Sequence, residues 1–176
     1  MPGRRTKELI LFRHAKSSWD DPLLHDFDRP LNRRGRRAAA HMAGWMADAK
    51  YRPTLVLCSP ATRTRETHDI VRAVLGNPEV KFERALYLAS ATSLLQRLRK
   101  LPAKMRSVML IGHNPGLQRL ALKLSAGQRA GVRARINKKF PTAAFVRFEI
   151  TADEWRNLGP GTTRLLDFVR PRDVKP

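Results

Sequence analysis

The chain has 176 residues, 42% of them hydrophobic, a single cysteine, and 35 lysines and arginines against 15 aspartates and glutamates, for a formal net charge of +20. That length suits one domain with a real core, one cysteine excludes an internal disulfide and a thiolate metal cluster, and the only apolar run near the N-terminus falls far short of a signal-peptide core or membrane span. A reducing, cytoplasmic setting without a membrane partner is therefore expected, and the charge demands anionic partners.

The first element is "LILF", Leu9 to Phe12, which runs directly into "RHAKSS". A continuous apolar run without alternation reads as a strand buried on both faces. Here it ends in Arg13 and His14, where a turn of Gly, Pro, Asn or Asp is the ordinary stop. "NRRGRRAAAHMAGWMADAK" follows, with Asn32 as N-cap and Ala38, Met42, Trp45, Met46 and Ala49 at helical spacing; this is a crossover helix. The pattern returns in "TLVLC", which runs into "SPATRTRET" and a helix through Thr67, Ile70, Val71 and Val74 with Gly76 as its stop. "ATSLLQRLRKL" reads as a short helix, "SVMLI" as a third buried strand entering "GHNPGL", and "GLQRLALKL" as a further helix.

The stretch of about 125–141 contains "AGQRAGVRARINKK", which is basic and lacks apolar periodicity, and is expected to be a basic surface loop. "AAFVRFEI" alternates as an edge or antiparallel strand does, and "TTRLLDFV" is expected to pair with it across the "GPG" turn. The alternation of strands and helices predicts an α/β three-layer sandwich over 1–176, a mostly parallel central sheet flanked by helices on both faces.

In open α/β sheets, reactive groups gather beyond the carboxyl ends of the strands. Arg13 and His14 follow the first strand, Ser59 and Arg63 the second, and Gly112, His113 and Asn114 the third, so one crevice can hold two histidines and two arginines. Guanidinium forks, imidazoles and helix N-termini suit a doubly charged phosphoryl group. No Walker glycine loop, magnesium carboxylate cluster or metal-spaced histidine pair stands in the sequence, so no metal and no cofactor is expected. Phosphoryl transfer then runs through a neutral imidazole as covalent nucleophile, a role that His14 or His113 can fill. Cys58 precedes an arginine, but one residue too early for the loop of cysteine-dependent phosphatases, and reads as a buried thiol. His25, His41 and His68 read as structural, and Trp19, Trp45 and Trp155 as core or rim packing.

"LILFRHAKSSWD", "SPATRTRET" and "LIGHNPGL", together with "DFDRPLNRRG" and "KFPTAAFVRF", resemble the histidine phosphatase superfamily, which is phosphoglycerate mutase-like in fold, in the small branch typified by the SixA phosphohistidine phosphatases. The resemblance covers nearly the whole chain. It implies that His14 is the phosphorylated nucleophile, that Arg13, Arg63 and His113 hold the phosphoryl group, that Arg29 lies near the mouth of the site, and that Ser17 and Asp20 join in substrate binding. Ala15 stands where most of the superfamily has Gly. Asp20 stands where mutase-like relatives commonly carry an asparagine, and a carboxylate there repels phosphate unless protonated or turned outward.

Broad phosphatases of this superfamily supply an acid from the region after the second motif, yet no Asp or Glu occurs from Ala85 to Phe148, and Glu83 is the nearest. An alkoxide leaving group, whose parent pKa is comparable to water's ~15.7, needs that proton. An imidazole, at roughly 6.5, hardly does. Expectation therefore tilts toward P–N bonds such as phosphohistidine, carried on a histidine phosphotransfer domain or a similar phosphorylated protein. The alternative is a phosphomonoesterase acting on small phosphorylated molecules such as aryl phosphates. From another class, a basic nucleic-acid-binding or phosphoprotein-binding module without catalysis competes, but only 7% of residues are aromatic and no nucleic-acid-binding motif is present. Net charge alone still allows non-specific nucleic-acid binding.

Overall fold

Leu9 to Phe12, Leu55 to Cys58 and Val108 to Ile111 are each no more than 1% exposed, as continuous apolar runs require. In the computed structural model, which describes residues 6–175, they form β1 (Lys7–Arg13), β2 (Leu55–Cys58) and β4 (Ser107–Gly112). The six-stranded sheet runs β3-β2-β4-β1-β5-β6, with β3 at Glu79–Phe82, β5 at Phe145–Ile150 and β6 at Thr163–Val169. β1, β2, β3 and β4 pair in parallel, while β5 runs antiparallel to both β1 and β6. The alternating "AAFVRFEI" segment is thus an antiparallel strand inside the sheet, and β6 takes the edge.

Strand side chains point to opposite faces in turn. Leu9, Leu11, Leu55, Leu57, Val108 and Leu110 pack with α3 (Ala91–Arg99), α4 (Gly116–Leu124) and α5 (Ala130–Lys138). Ile10, Phe12, Val56, Cys58, Met109 and Ile111 pack on the other face with α1 (Arg33–Asp48) and α2 (Thr62–Val71). This is the expected three-layer sandwich. Asn32 caps α1 as its position suggests, its Oδ1 accepting from the Gly35 N–H at 2.8 Å.

Two segments differ from expectation. β3, "EVKF", is a largely exposed edge strand with no apolar run to mark it. The segment 125–141 is not a loop: α5 occupies most of it. Its apolar pattern is weak because only Ile136 is buried, and tertiary contacts hold the helix in its place. Gln118 Nε2 donates to the carbonyls of Ile136 and Asn137 at 2.8 and 3.0 Å, and Arg135 pairs with Asp173 at 3.1 Å. Free carbonyls at the helix end thereby find donors.

The loop after β1 rests directly on α1. A Cβ built on Gly35 meets the Lys16 carbonyl oxygen at 2.1 Å, a backbone atom that also accepts from the Asn32 N–H. Gly35→Ala is therefore expected to destabilise by about 1–3 kcal/mol through forced backbone movement. Gly44→Ala, on the exposed side of the same helix with nothing within 4 Å, is expected to stabilise by about 0.4–1 kcal/mol. Urea denaturation of both variants checks the pair, and a Gly35→Ala protein as stable as the parent contradicts this packing.

Candidate active site

The sheet order sets β4 between β1 and β2, so three strand ends open into one crevice. Arg13 is in register with Gly112 and Cys58 with Ile111. One residue further on, the His14 N–H donates to the Gly112 carbonyl at 3.1 Å and the Ser59 N–H to the Ile111 carbonyl at 3.0 Å. These bonds carry the sheet's geometry into the reactive residues. Arg63 enters from the first turn of α2, where it is 3% exposed.

The four expected residues converge. The imidazoles of His14 and His113 lie 5.1 Å apart between centroids, and Arg63 joins them: its Nε faces His14 Nε2 at 3.4 Å and its Nη2 faces His113 Nδ1 at 3.3 Å. Arg13 flanks them, its Nη1 donating to the Phe140 carbonyl at 2.8 Å. A cavity of about 690 Å³ opens over this group.

The partners also fix the tautomers. His14 Nδ1 lies 2.7 Å from the Ala15 carbonyl, which can only accept, so Nδ1 holds the proton and Nε2 presents its lone pair. His113 is the reverse: Nδ1 faces a guanidinium donor, so Nε2 carries the proton and donates to Ser59 Oγ at 2.7 Å. Burial holds the His14 pKa well below 6.5, with His113, Arg63 and Arg13 pushing the same way and the Ala15 carbonyl opposing them. Burial and then Arg63 and Arg13 lower His113 to about 3, against the pull of Asp26. Both rings are neutral at pH 7, the state that a nucleophilic imidazole requires.

Nitrogen-detected NMR of the ligand-free protein is expected to show both rings neutral down through pH 6.5, with His113 protonating at about 3. The unfolded chain takes up these two protons near 6.5 and the native chain does not, so stability is lost as pH falls below 6.5. The slope is about 1.4 kcal/mol per pH unit for each histidine. Either ring titrating near 6.5 contradicts the geometry.

Arg29 lines the cavity. It is 7% exposed, Nη2 donates to Ser17 Oγ, and its guanidinium lies 3.3 Å from the centroid of the Trp19 ring. Ser17 is buried, lines the cavity and holds Arg29. Trp19 is rim packing, 75% exposed, while Trp155 is fully buried in the core. Asp20 departs from expectation: it is exposed and does not line the cavity. The Ser18 side chain accepts from the Asp20 N–H at 3.0 Å in the exposed turn that follows. Glu83 is engaged elsewhere, bidentate to Arg97 at 2.6 and 2.7 Å.

The carboxylate that the sequence places nowhere is Asp26. It comes from before the second motif, on a short 3-10 turn (Asp26–Asp28), and lines the cavity. Its Oδ2 accepts from Arg63 Nη2 at 2.9 Å and from the Tyr87 hydroxyl at 2.5 Å, and its Oδ1 lies 3.5 Å from Arg29 Nη1. Burial pushes its pKa up, but the bonds from Tyr87 and Arg63 outweigh that and hold it below the usual carboxylate range. Tyr87 also sets its ring edge-on against His113 at 5.3 Å. Nothing local in "HDFDRP" marks Asp26, because its main partners lie 37 and 61 residues away. Ser59, which orients His113, was legible as a strand-end residue.

Among the described residues, no group of three His, Cys, Asp or Glu side chains is placed to hold a metal, and no helix is long and apolar enough to cross a membrane. Cys58 is fully buried and burial pushes its thiol pKa up, as an inert cysteine requires.

Comparison with known proteins agrees with this geometry. Residues 9–87 match the family model of the histidine phosphatase superfamily (branch 1). An uncharacterized Mycobacterium tuberculosis protein is 33% identical over 162 residues, 91% of this chain and 99% of its own. An uncharacterized chloroplastic protein of Arabidopsis thaliana is 33% identical over 180 residues, 94% of this chain and 78% of its own. Among solved structures, a candidate phosphohistidine phosphatase SixA from Agrobacterium tumefaciens superposes with a TM-score of 0.81 at 29% identity, covering 94% of this chain and 98% of that one. Strand ends that present His14, Arg13, Arg63 and His113 to one cavity, and similarity that spans nearly the full length, place this chain in the histidine phosphatase superfamily, branch 1, on its SixA-type side.

Proposed function

We propose that the protein is a metal-independent phosphohydrolase that works through a phosphohistidine on His14 and acts in the cytoplasm on phosphohistidine carried by proteins such as histidine phosphotransfer domains. Arg13 and Arg63 neutralise the equatorial oxygens of the phosphoryl group as it passes to His14 Nε2. The P–N or P–O bond to the leaving group breaks, and the leaving group keeps the electron pair. Phosphorylated at Nε2 with Nδ1 protonated, the His14 ring is cationic, and the Ala15 carbonyl at 2.7 Å stabilises it. Water then adds to phosphorus and the P–Nε2 bond returns its electrons to the imidazole. The protons of that water stay on the phosphate or pass to solvent.

The observation that carries the choice of substrate is the state of Asp26. Among the described residues it is the only carboxylate lining the cavity, and Tyr87 and Arg63 hold it ionised. A carboxylate without a proton cannot serve a poor leaving group, which supports the P–N reading on a different ground from the sequence: a carboxyl group is present, but its proton is not. Imidazole leaves without help, and so do phenolates far more readily than serine alkoxide. Aryl phosphates are accordingly the expected surrogate substrates.

A panel of phosphohistidine peptide, aryl phosphate and phosphoserine peptide, assayed with and without EDTA, tests this. The serine ester is expected to have a kcat/KM lower by at least about 10²-fold, the range that a general acid contributes. Equal rates on the serine ester, or loss of activity in EDTA, overturn the proposal.

A further inference from the structure

One phosphoryl group does not use up the positive charge of this cavity. A bound phosphoryl dianion and Asp26 together bring about three negative charges, and three guanidiniums meet them, those of Arg29 and Arg63 buried and that of Arg13 partly buried. Lys16, Arg34, Lys139 and Arg172 line the same cavity, are exposed, and have no carboxylate partner among the described residues. The chain pairs its arginines elsewhere: Arg36 with Glu66, Arg97 with Glu83, Arg147 with Glu8 and Asp167. Arg170, also in the cavity wall, is neutralised by Asp173 at 2.7 and 2.8 Å.

These four cations arrive from separate places: the loop after β1, the first turn of α1, the end of α5 and the segment after β6. The first turn of α1 carries no acidic residue, so Arg34 lies against the positive end of the helix dipole. That end favours a bound anion, and the carboxylate near it, Glu66, is engaged by the Leu31 N–H and Arg36. The cavity volume of about 690 Å³ is in the range of roughly 300–1,000 Å³ for whole-ligand sites, far more than a lone phosphoryl group needs. Its mouth is apolar as well as basic, with Trp19 75% and Leu88 51% exposed. Exposed large apolar groups beside unpaired cations fit an acidic polypeptide surface better than a small hydrated polyanion.

We propose that Lys16, Arg34, Lys139 and Arg172 form a second anion subsite, which reads aspartate and glutamate side chains flanking the phosphorylated residue of a protein substrate. This rests on the phosphatase reading for the identity of the inner ligand. The subsite sets KM and the salt dependence of capture and leaves the chemical step alone.

The test uses binding as well as turnover. A peptide carrying a non-hydrolysable phosphohistidine analogue, a phosphonotriazole, is prepared with acidic and with neutral flanks, and its affinity for the full chain is measured by fluorescence anisotropy at physiological salt. The acidic-flanked peptide is expected to bind about tenfold tighter, and the gain is expected to vanish in a Lys139→Ser, Arg172→Ser double variant. A Lys100→Ser, Lys104→Ser variant removes the same charge near the opposite end of β4 and is expected to keep the gain. A gain that survives the first variant, or that both variants abolish equally, overturns the proposal. So does loss of tripolyphosphate affinity in the first variant with no loss for the acidic peptide, which assigns the cations to small polyanions. Flank-dependent binding without turnover of any phosphohistidine peptide leaves the subsite standing and rejects the hydrolase reading, so the two fail separately.

Discussion

His14→Ala is expected to abolish turnover of phosphohistidine and aryl phosphates alike, with a loss on the order of 10⁴–10⁶-fold in kcat, and to leave no acid-labile phosphoryl adduct on the protein. The size follows from the absence of a substitute. His113 is buried beside it and its Nδ1 also faces Arg63, but its Nε2 proton goes to the Ser59 hydroxyl, which supports a cationic ring less than the Ala15 carbonyl supports that of His14. Cys58 is buried on the far side of the strand end, its Sγ donating to the Ser59 and Thr64 carbonyls. Rapid-quench trapping with labelled substrate, followed by mapping of the adduct, measures this directly. An adduct on His113, or more than about one part in a hundred of parent turnover in a folded variant, rejects His14 as the nucleophile.

What made His14 legible was the burial of β1, β2 and β4 on both faces. Such strands have no polar side, so each announces itself as an apolar run, and whatever follows the run stands at the sheet's carboxyl edge. The four residues that meet in the cavity could be placed by that logic alone, although the choice of His14 over His113 rested on the resemblance. The structure adds a physical reason for the choice: both lone pairs face Arg63, but the Nδ1 proton of His14 is held by the Ala15 carbonyl, which supports a cationic ring, whereas the Nε2 proton of His113 goes to the Ser59 hydroxyl. Elements that rely on distant contacts were not legible. β3 has an exposed edge and no apolar run, and α5 has one buried side chain and a carbonyl end satisfied by Gln118 from another helix. Asp26 belongs to the same class, since its function exists only where Tyr87 and Arg63 reach it. Asp20 was a misplacement of the opposite kind: a polar residue near a motif that lies exposed, outside the cavity lining.

Arg63→Ala is expected to lower kcat/KM by about 10³–10⁵-fold, the range seen when a guanidinium that stabilises a phosphoryl transition state is removed. Arg63 alone touches all three reactive groups: Nε faces His14, Nη2 faces both His113 and Asp26, and Nη1 donates to the Asp26 carbonyl at 2.5 Å. Its charge also helps to hold both histidines neutral, second to burial for His113 and behind burial and His113 for His14. Removing it must raise both pKa values, so the acid limb of activity moves to higher pH as the nucleophile becomes protonated sooner. Arg63→Lys separates charge from geometry. An ammonium restores the electrostatic push on the imidazoles, but it has no planar fork to span His14, His113 and Asp26 at once. The lysine variant is therefore expected to return the histidine titrations close to those of the parent while recovering no more than about tenfold of the lost kcat/KM. A purely structural role for Arg63 predicts the reverse order, in which lysine and alanine behave alike in the titrations and activity follows urea stability. Measuring the NMR titrations, the urea midpoints and the split between kcat and KM on the same two variants decides between these readings.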